Sequence, residues 1–256
     1  KLHADKMKEP KIGVLLAFAL SDPSAPAESS QAINETSCLV KQLCRLGIPT
    51  TLAVPHLGHA KHFRACASMR TVALPRSEDI WHGHSAHAQW NTNRPRGDLS
   101  TESSQARAAL RRHKISAIVS CPYRMTLYVD NDVAFFKANN VLAWFDEMPT
   151  KSFVAGIPRG NLIKARPHPQ QNSTIDSKAF GRAFSASGVA AGSVFPEVHG
   201  GILYLRCPHA KPIMSKWLRY LDEHPSPDGR DQGPLRLALS ESRQHFHPLP
   251  PYLGCR

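Results

Sequence analysis

Thr126-Leu127-Tyr128-Val129-Asp130-Asn131-Asp132-Val133 decides how the rest of this chain is read. Four strand-favouring residues run directly into two aspartates separated by one residue. A strand delivers both carboxylates to its C-terminal edge, the side on which open α/β sheets bind ligands. Successive side chains on a strand point to opposite faces, so the chain has to bend at Asn131 for both acids to address one cation. Two hard oxygen donors at a strand end suit Mg²⁺ or Mn²⁺ carrying a diphosphate. A bare D-x-D arises often by chance; the strand before it and the segments around it give it weight.

Outward from this stretch, the N-terminal third alternates strand and helix. The unbroken apolar run Ile12–Leu20 predicts a central strand, followed by a Pro/Ser-rich loop over 21–26. From Glu28, the residues Ala32, Ile33, Leu39, Val40, Leu43 and Leu46 recur at three-to-four spacing, predicting an amphipathic helix stopped by Gly47. Thr50–Val54 reads as a second strand, His59–Met69 as a short helix and Thr71–Leu74 as a third strand. This alternation predicts a mainly parallel sheet with helices on its faces. Residues 77–100 have no period and read as a surface loop; His82, His84 and His87 within it, evenly spaced and without cysteine, fit a metal site poorly. Ser103–His113 is helical by composition, while 115–120 suits helix or strand until Pro122 breaks it. After the D-x-D strand come a helix over Asn140–Glu147, a strand at Phe153–Ile157, a loop across 158–178, a strand at Gly201–Leu205, an amphipathic helix at Pro212–Leu221 and a last helix from Asp231 to Leu239. Residues 1–10 read as disordered or linker, and 11–256 as a single domain cut from a longer chain, since residue 1 is Lys.

Composition narrows the function classes. The 256 residues, 41% of them hydrophobic, support a sizeable core. No apolar run approaches the roughly 20 residues that cross a bilayer. The net charge of +12 and a pI near 9.7 favour polyanionic partners. The basic residues are scattered, however, and the densest cluster is Arg111-Arg112-His113-Lys114. Basic and aromatic residues do not interleave as in RNA-binding sheets, so nucleic acid is not an expected partner. None of the six cysteines forms a C-x-x-C pair, which argues against zinc. Cys38 and Cys44 read as small core residues of the first helix, and the even count permits disulfides without requiring them. Asn34 and Asn172 match the N-glycosylation pattern, which is short enough to recur by chance.

Four segments in order carry a resemblance. Lys114–Val133 reads KISAIVSCPYRMTLYVDNDV and Phe195–Arg206 reads FPEVHGGILYLR; Asp231-Gln232 opens a helix after Trp217, and the chain ends LPPYLGCR. Together they resemble the GT-A-type nucleotide-sugar glycosyltransferases, especially the glycogenin-like and nucleotide-diphospho-sugar transferase families. The likeness covers roughly residues 110–256 by motif and residues 11–75 by strand–helix pattern alone. It implies a GT-A-like, Rossmann-type α/β fold, a mixed, mainly parallel sheet flanked by helices, and it takes 102–120 as helical.

The resemblance also implies roles. Asp130 and Asp132 would hold Mn²⁺ (or Mg²⁺), which neutralises the departing nucleoside diphosphate as a Lewis acid. Lys114 would add fixed positive potential near the phosphates, and Asn131, within the D-x-D, would reach ribose and sugar. Ala17 and Phe18 stand where the nucleotide base is expected. Gly200-Gly201 matches a glycine-containing turn before a strand that lets backbone approach the sugar; His199 replaces the family's usual Asn. Asp231 would bind sugar hydroxyls and Gln232 would lie near the anomeric carbon, while Asp231 also suits a helix N-cap. Gly254 replaces the Asn of the terminal motif. A third ligand, a histidine, often follows that motif; here the sequence stops at Arg256, so that ligand lies outside this fragment or another group such as His245 or His247 substitutes. The implied activity is metal-dependent transfer from a nucleotide-diphosphate donor, a UDP-sugar, to an unspecified glycan, protein or lipid acceptor, in the Golgi or secretory lumen or alternatively in the cytoplasm.

Two other readings compete. Haloacid-dehalogenase-like phosphatases also place D-x-D at a strand end, with the first Asp as nucleophile. They favour Thr or Val where this chain has Ala134, and carry the motif on the first strand. A non-catalytic basic module would bind glycans or nucleic acid in a salt-dependent, metal-independent way.

Overall fold

The computed structural model of the chain describes residues 10–18, 26–55, 57–63, 66–74, 101–133, 135, 141–159, 195, 197–223 and 231–249. The loop expected over 77–100, most of that over 158–178, the Asn172 motif and the terminal PPYLGCR lie outside these residues.

Strands β1 (Ile12–Ala17), β2 (Thr50–Val54), β3 (Met69–Ala73), β4 (Met125–Val129), β5 (Val154–Arg159), β6 (Glu197–Arg206) and β7 (Phe246–Pro248) form one sheet in the order β3-β2-β1-β4-β6-β5-β7. Neighbours β3, β2, β1 and β4 run parallel. β6 runs antiparallel to β4 and to β5, and β7 parallel to β5. The chain winds from β1 outward to β3, then returns to place β4 on the other side of β1. That reversal opens a crevice beyond the C-terminal ends of β1 and β4, where doubly wound sheets bind ligands.

Helices cover both faces. α1 (Pro26–Arg45) packs Leu39, Val40 and Leu43 against Leu16, Leu52 and Leu127 on one face. On the other, α2 (Thr101–Ser120), α4 (Lys211–Glu223) and α5 (Gln232–Glu241) bury Ile115, Ile118, Met214, Trp217, Leu235 and Ala238 against Leu15, Tyr128 and Leu203. Strand alternation divides the residues: Leu15 and Ala17 face α2, whereas Val14, Leu16 and Phe18 face α1. α1 ends as its pattern predicts, with Gly47 at φ +64, a left-handed conformation that is cheap only without a Cβ.

Some expectations need correction. The helix expected over 59–69 is a 3₁₀ turn at Leu57–His62, followed by β3 from Met69. That expected over 140–147 is the single turn α3 (Trp144–Glu147); Met148 is extended at ψ 126, as the residue before Pro149 prefers. β5 continues through Pro158 because the pairing with β6 shifts register between Gly156 and Pro158, a bulge that tolerates a residue without an N–H. Cys44 is bonded to Cys66, tying α1 to the lead into β3, and Cys121 to Cys207, tying the end of α2 to the end of β6. Cys38 is exposed rather than core.

Candidate active site

The crevice is a cavity of about 410 Å³. Leu16 pairs with Val129 and Val129 with Ile202, so Ala17, Asp130 and Gly201 come level across three adjacent strands. Asp130 N–H donates to Gly201 O at 2.8 Å, extending the ladder by one bond, and Val133 N–H donates back to Asp130 O at 3.2 Å. The chain thus turns through Asn131 and Asp132, the bend that a shared cation site requires. Asp132 is exposed and Asp130 half-buried.

Two cations rise from α2. Arg111 and Lys114, three residues apart, share one helix face. Lys114 Nζ lies 3.0 Å from Asp130 Oδ1, 3.2 Å from Oδ2 and 3.5 Å from Asp231 Oδ2, and Arg111 Nε lies 3.4 Å from Asp231 Oδ1. Asp231 stands at the N-cap of α5 but makes no side-chain capping bond; its carboxylate turns to these cations instead. The position is fixed from behind by Trp217, whose indole N–H donates to Asp231 O at 2.8 Å. Burial opposes the charge on Lys114, but the attraction of Asp130 and Asp231 exceeds it and raises the ammonium pKa. Burial likewise opposes ionisation of Asp130, yet Lys114 and the Tyr128 hydroxyl hold its carboxyl below the usual range. Lysine and aspartate are therefore both charged throughout the physiological range.

On β6, Gly201 N–H donates to His199 Nδ1 at 3.0 Å. An Asn side chain can make the same kind of bond to the N–H two residues on, so the imidazole here accepts where an amide could. With Nδ1 accepting, a neutral ring carries its proton on Nε2 and presents a donor there. Gly200 and Gly201 lie inside β6 rather than in a turn before it, because the strand begins at Glu197.

The cavity wall brings together Ala17, Lys114, Asp130, Asn131, Asp132, His199, Gly200, Gly201, Asp231 and Gln232. Phe18 is elsewhere. It is fully buried on the α1 face, edge-on to Phe63 at 4.8 Å, because alternation turns it away from the side that Ala17 faces. His245 and His247 are also elsewhere. His245 stacks on Phe153 at 4.2 Å beside the start of β5, level with the start of β4 and so at the opposite edge from Asp130. His247 is on β7, three strands from β4.

Sequence reasoning missed Glu35, Arg111, His113 and Tyr128, which also line the cavity. Arg111 was legible from its spacing to Lys114, and Tyr128 from its parity with Asp130. Glu35 was not, since which end of α1 approaches β4 depends on the tertiary fold. His113 is held at a pKa of about 4, chiefly by burial, and is neutral at pH 7.

The whole backbone arrangement matches solved proteins. Mouse xyloside xylosyltransferase 1 in its apo form aligns at a TM-score of 0.51 and 13% identity, over 93% of this chain and 84% of that one. The chain has the GT-A-type glycosyltransferase fold. The mannosyltransferase Ktr4p of S. cerevisiae aligns at 0.46 and 11% identity, over 93% of this chain and 68% of that one. The Mn/GDP form of core-mannan synthase A from Aspergillus fumigatus aligns at 0.46 and 10%, over 96% and 74%. No protein-family model and no curated protein sequence matches the chain.

Within this GT-A fold the residues suit a hard divalent cation. Among the described lining residues, four acidic side chains, Glu35, Asp130, Asp132 and Asp231, stand against two basic ones, Arg111 and Lys114. Among the described residues no group of three or more His, Cys, Asp or Glu forms a closed metal cage. The donor set is two carboxylates, the sparse protein ligation typical of Mg²⁺ and Mn²⁺ that share their coordination with water and phosphate.

Proposed function

We propose that the protein is a glycosyltransferase that moves a sugar from a nucleotide-diphosphate donor, a UDP-sugar, with the help of Mn²⁺ or Mg²⁺. The observation that carries this reading is the cleft at the switch point of a GT-A fold, walled by Asp130, Asp132, Lys114, His199, Asp231 and Gln232. Among its described lining residues acidic side chains outnumber basic ones by two, so a divalent cation would cancel that excess and ease the entry of a diphosphate.

Asp130 and Asp132 are the residues that would hold the ion, which when bound supplies Lewis-acid charge to the leaving diphosphate. Lys114 adds a fixed positive charge and is already oriented by two carboxylates. His199 offers a hydrogen-bond donor, and Gly200-Gly201 let ligand approach the backbone of β6. Asp231, held by Arg111 and Lys114, is placed to accept sugar hydroxyls. Gln232, at the first turn of α5, would lie near the anomeric centre. Two disulfides support a compartment that oxidises thiols, consistent with a secretory or Golgi lumen.

The reaction is tested by incubating the chain with a panel of UDP- and GDP-sugars and Mn²⁺ and following free nucleotide and sugar. Release that falls by about a hundredfold or more in Asp132→Ala and in Gln232→Ala supports the reading. Release unchanged in both variants contradicts the roles assigned.

A further inference from the structure

We infer that Tyr128 is a positioning residue, whose hydroxyl fixes the Asp130 carboxylate in the orientation in which it meets the cation. This inference rests on the metal-dependent reading above. Tyr128 is 1% exposed and at first sight an ordinary core aromatic. Its hydroxyl, however, donates to Asp130 Oδ1 at 2.5 Å. Residues two apart on a strand share a face, so Tyr128 stands directly beneath Asp130. Its ring centroid also lies 5.4 Å from Lys114 Nζ, within cation–π range. One buried side chain therefore touches both charged groups at the mouth of β4.

The backbone of Asp130 is pinned by its bond to Gly201 O and by the turn to Val133. Its side chain is held by two donors, Lys114 and Tyr128. They differ in stiffness. Lysine is a flexible four-carbon stem that a phosphate can draw away. Tyrosine is a rigid ring with two side-chain torsions, locked here by the packing of Ile115 and Leu203 in the same core. When a diphosphate recruits Lys114, Tyr128 is the restraint that stays. Groups that orient a metal ligand from behind change metal affinity by roughly ten- to a hundredfold when removed.

Tyr128→Phe keeps the ring, its packing and its contact with Lys114, and removes only the hydroxyl. Mn²⁺ titration calorimetry on the full chain, beside thermal melts and Asp130→Asn as reference, separates the outcomes. The expected result is a Mn²⁺ dissociation constant raised about tenfold or more in Tyr128→Phe, with Tm close to wild type. A role in packing alone predicts unchanged Mn²⁺ affinity. If Tyr128→Phe binds Mn²⁺ like wild type while Asp130→Asn does not, the positioning role is wrong and the metal site stands. If wild type itself binds no Mn²⁺, both fall. Should Tyr128→Phe melt early, wild-type chain labelled with 3-fluorotyrosine gives an independent measurement. The Tyr128 fluorine resonance, assigned by its loss in Tyr128→Phe, is expected to shift saturably with Mg²⁺, and a resonance indifferent to Mg²⁺ overturns the proposal.

Discussion

A Cβ on Gly201 would lie 2.5 Å from Asp130 Oδ2 and 2.7 Å from His199 Cε1, both inside contact distance. The carboxylate and the imidazole occupy the space where a side chain would be. A Cβ on Gly200 meets Leu235 and Trp217 at 3.5 and 3.6 Å, ordinary van der Waals contact. The two glycines are thus unequal, although they look alike in sequence. Gly201→Ala is expected to push Asp130 off Lys114 and Tyr128 and weaken Mn²⁺-dependent nucleotide binding by about tenfold or more, as misplacing a metal ligand does. Gly200→Ala is expected to bind within about twofold of wild type, contact with Leu235 being benign. Calorimetry on the two variants checks the contrast, and equal losses would show that the glycines serve the backbone instead. The same geometry separates what the sequence could and could not disclose here. That Asp130 and Asp132 stand at the cleft was legible because a strand runs straight into them and so carries them to the sheet's C-terminal edge. Ala17 and Phe18 were taken as a pair, yet only one residue of two consecutive ones can face the cleft, and the parity that excludes Phe18 was available from the alternation of β1.

Helix α2 shows how one element assembles a site. Its C-terminal half buries Ile115 and Ile118 under the sheet, and the preceding turn presents Arg111 and Lys114 to the cleft. The apolar run over 115–120 is too short for periodicity to distinguish helix from strand; the fold decides, since a helix is needed to deliver Lys114 to the end of β4. Among the short elements, the length of the helix expected over 140–147 was overestimated and the strand at Phe246–Pro248 was missed, for the same reason. One turn at Trp144–Glu147 and three residues at Phe246–Pro248 do not span a period. α5 is tied to α4 by shared core packing and by the bond from Trp217 to Asp231 O, which helps to place Asp231 and Gln232. Trp217→Phe removes the donor from a buried carbonyl and leaves a void. It is expected to destabilise the fold by about 2–4 kcal/mol and lower Tm by several degrees, with a larger proportional loss of nucleotide binding than of folded fraction at 25 °C. Melts and calorimetry on one preparation test this; a loss confined to Tm would detach α5 from the site.

Across the molecule, charge and topology work in opposite senses. The chain carries +12, yet among the described residues lining the cleft acidic side chains outnumber basic ones by four to two. The basic excess of the chain is therefore not found in the described cleft lining, where on the proposed reading a cation would offset the acidic side chains before a diphosphate is accepted. Composition showed the first and could not show the second, because the carboxylates come from α1, β4, its turn and α5, brought together only by the sheet order. The disulfides were equally hidden. Cys44 and Cys66, 22 residues apart, and Cys121 and Cys207, 86 apart, follow no spacing rule and pair because the fold sets their Cα atoms 6.0 Å apart. The claim that the cleft is a metal-dependent nucleotide site is met most directly by titrating the chain with UDP in Mn²⁺ and again in EDTA. The account predicts saturable 1:1 binding in Mn²⁺ that disappears in EDTA and in Asp130→Ala, while the melt stays cooperative. UDP binding of equal strength in EDTA, or none with Mn²⁺ present, would contradict it.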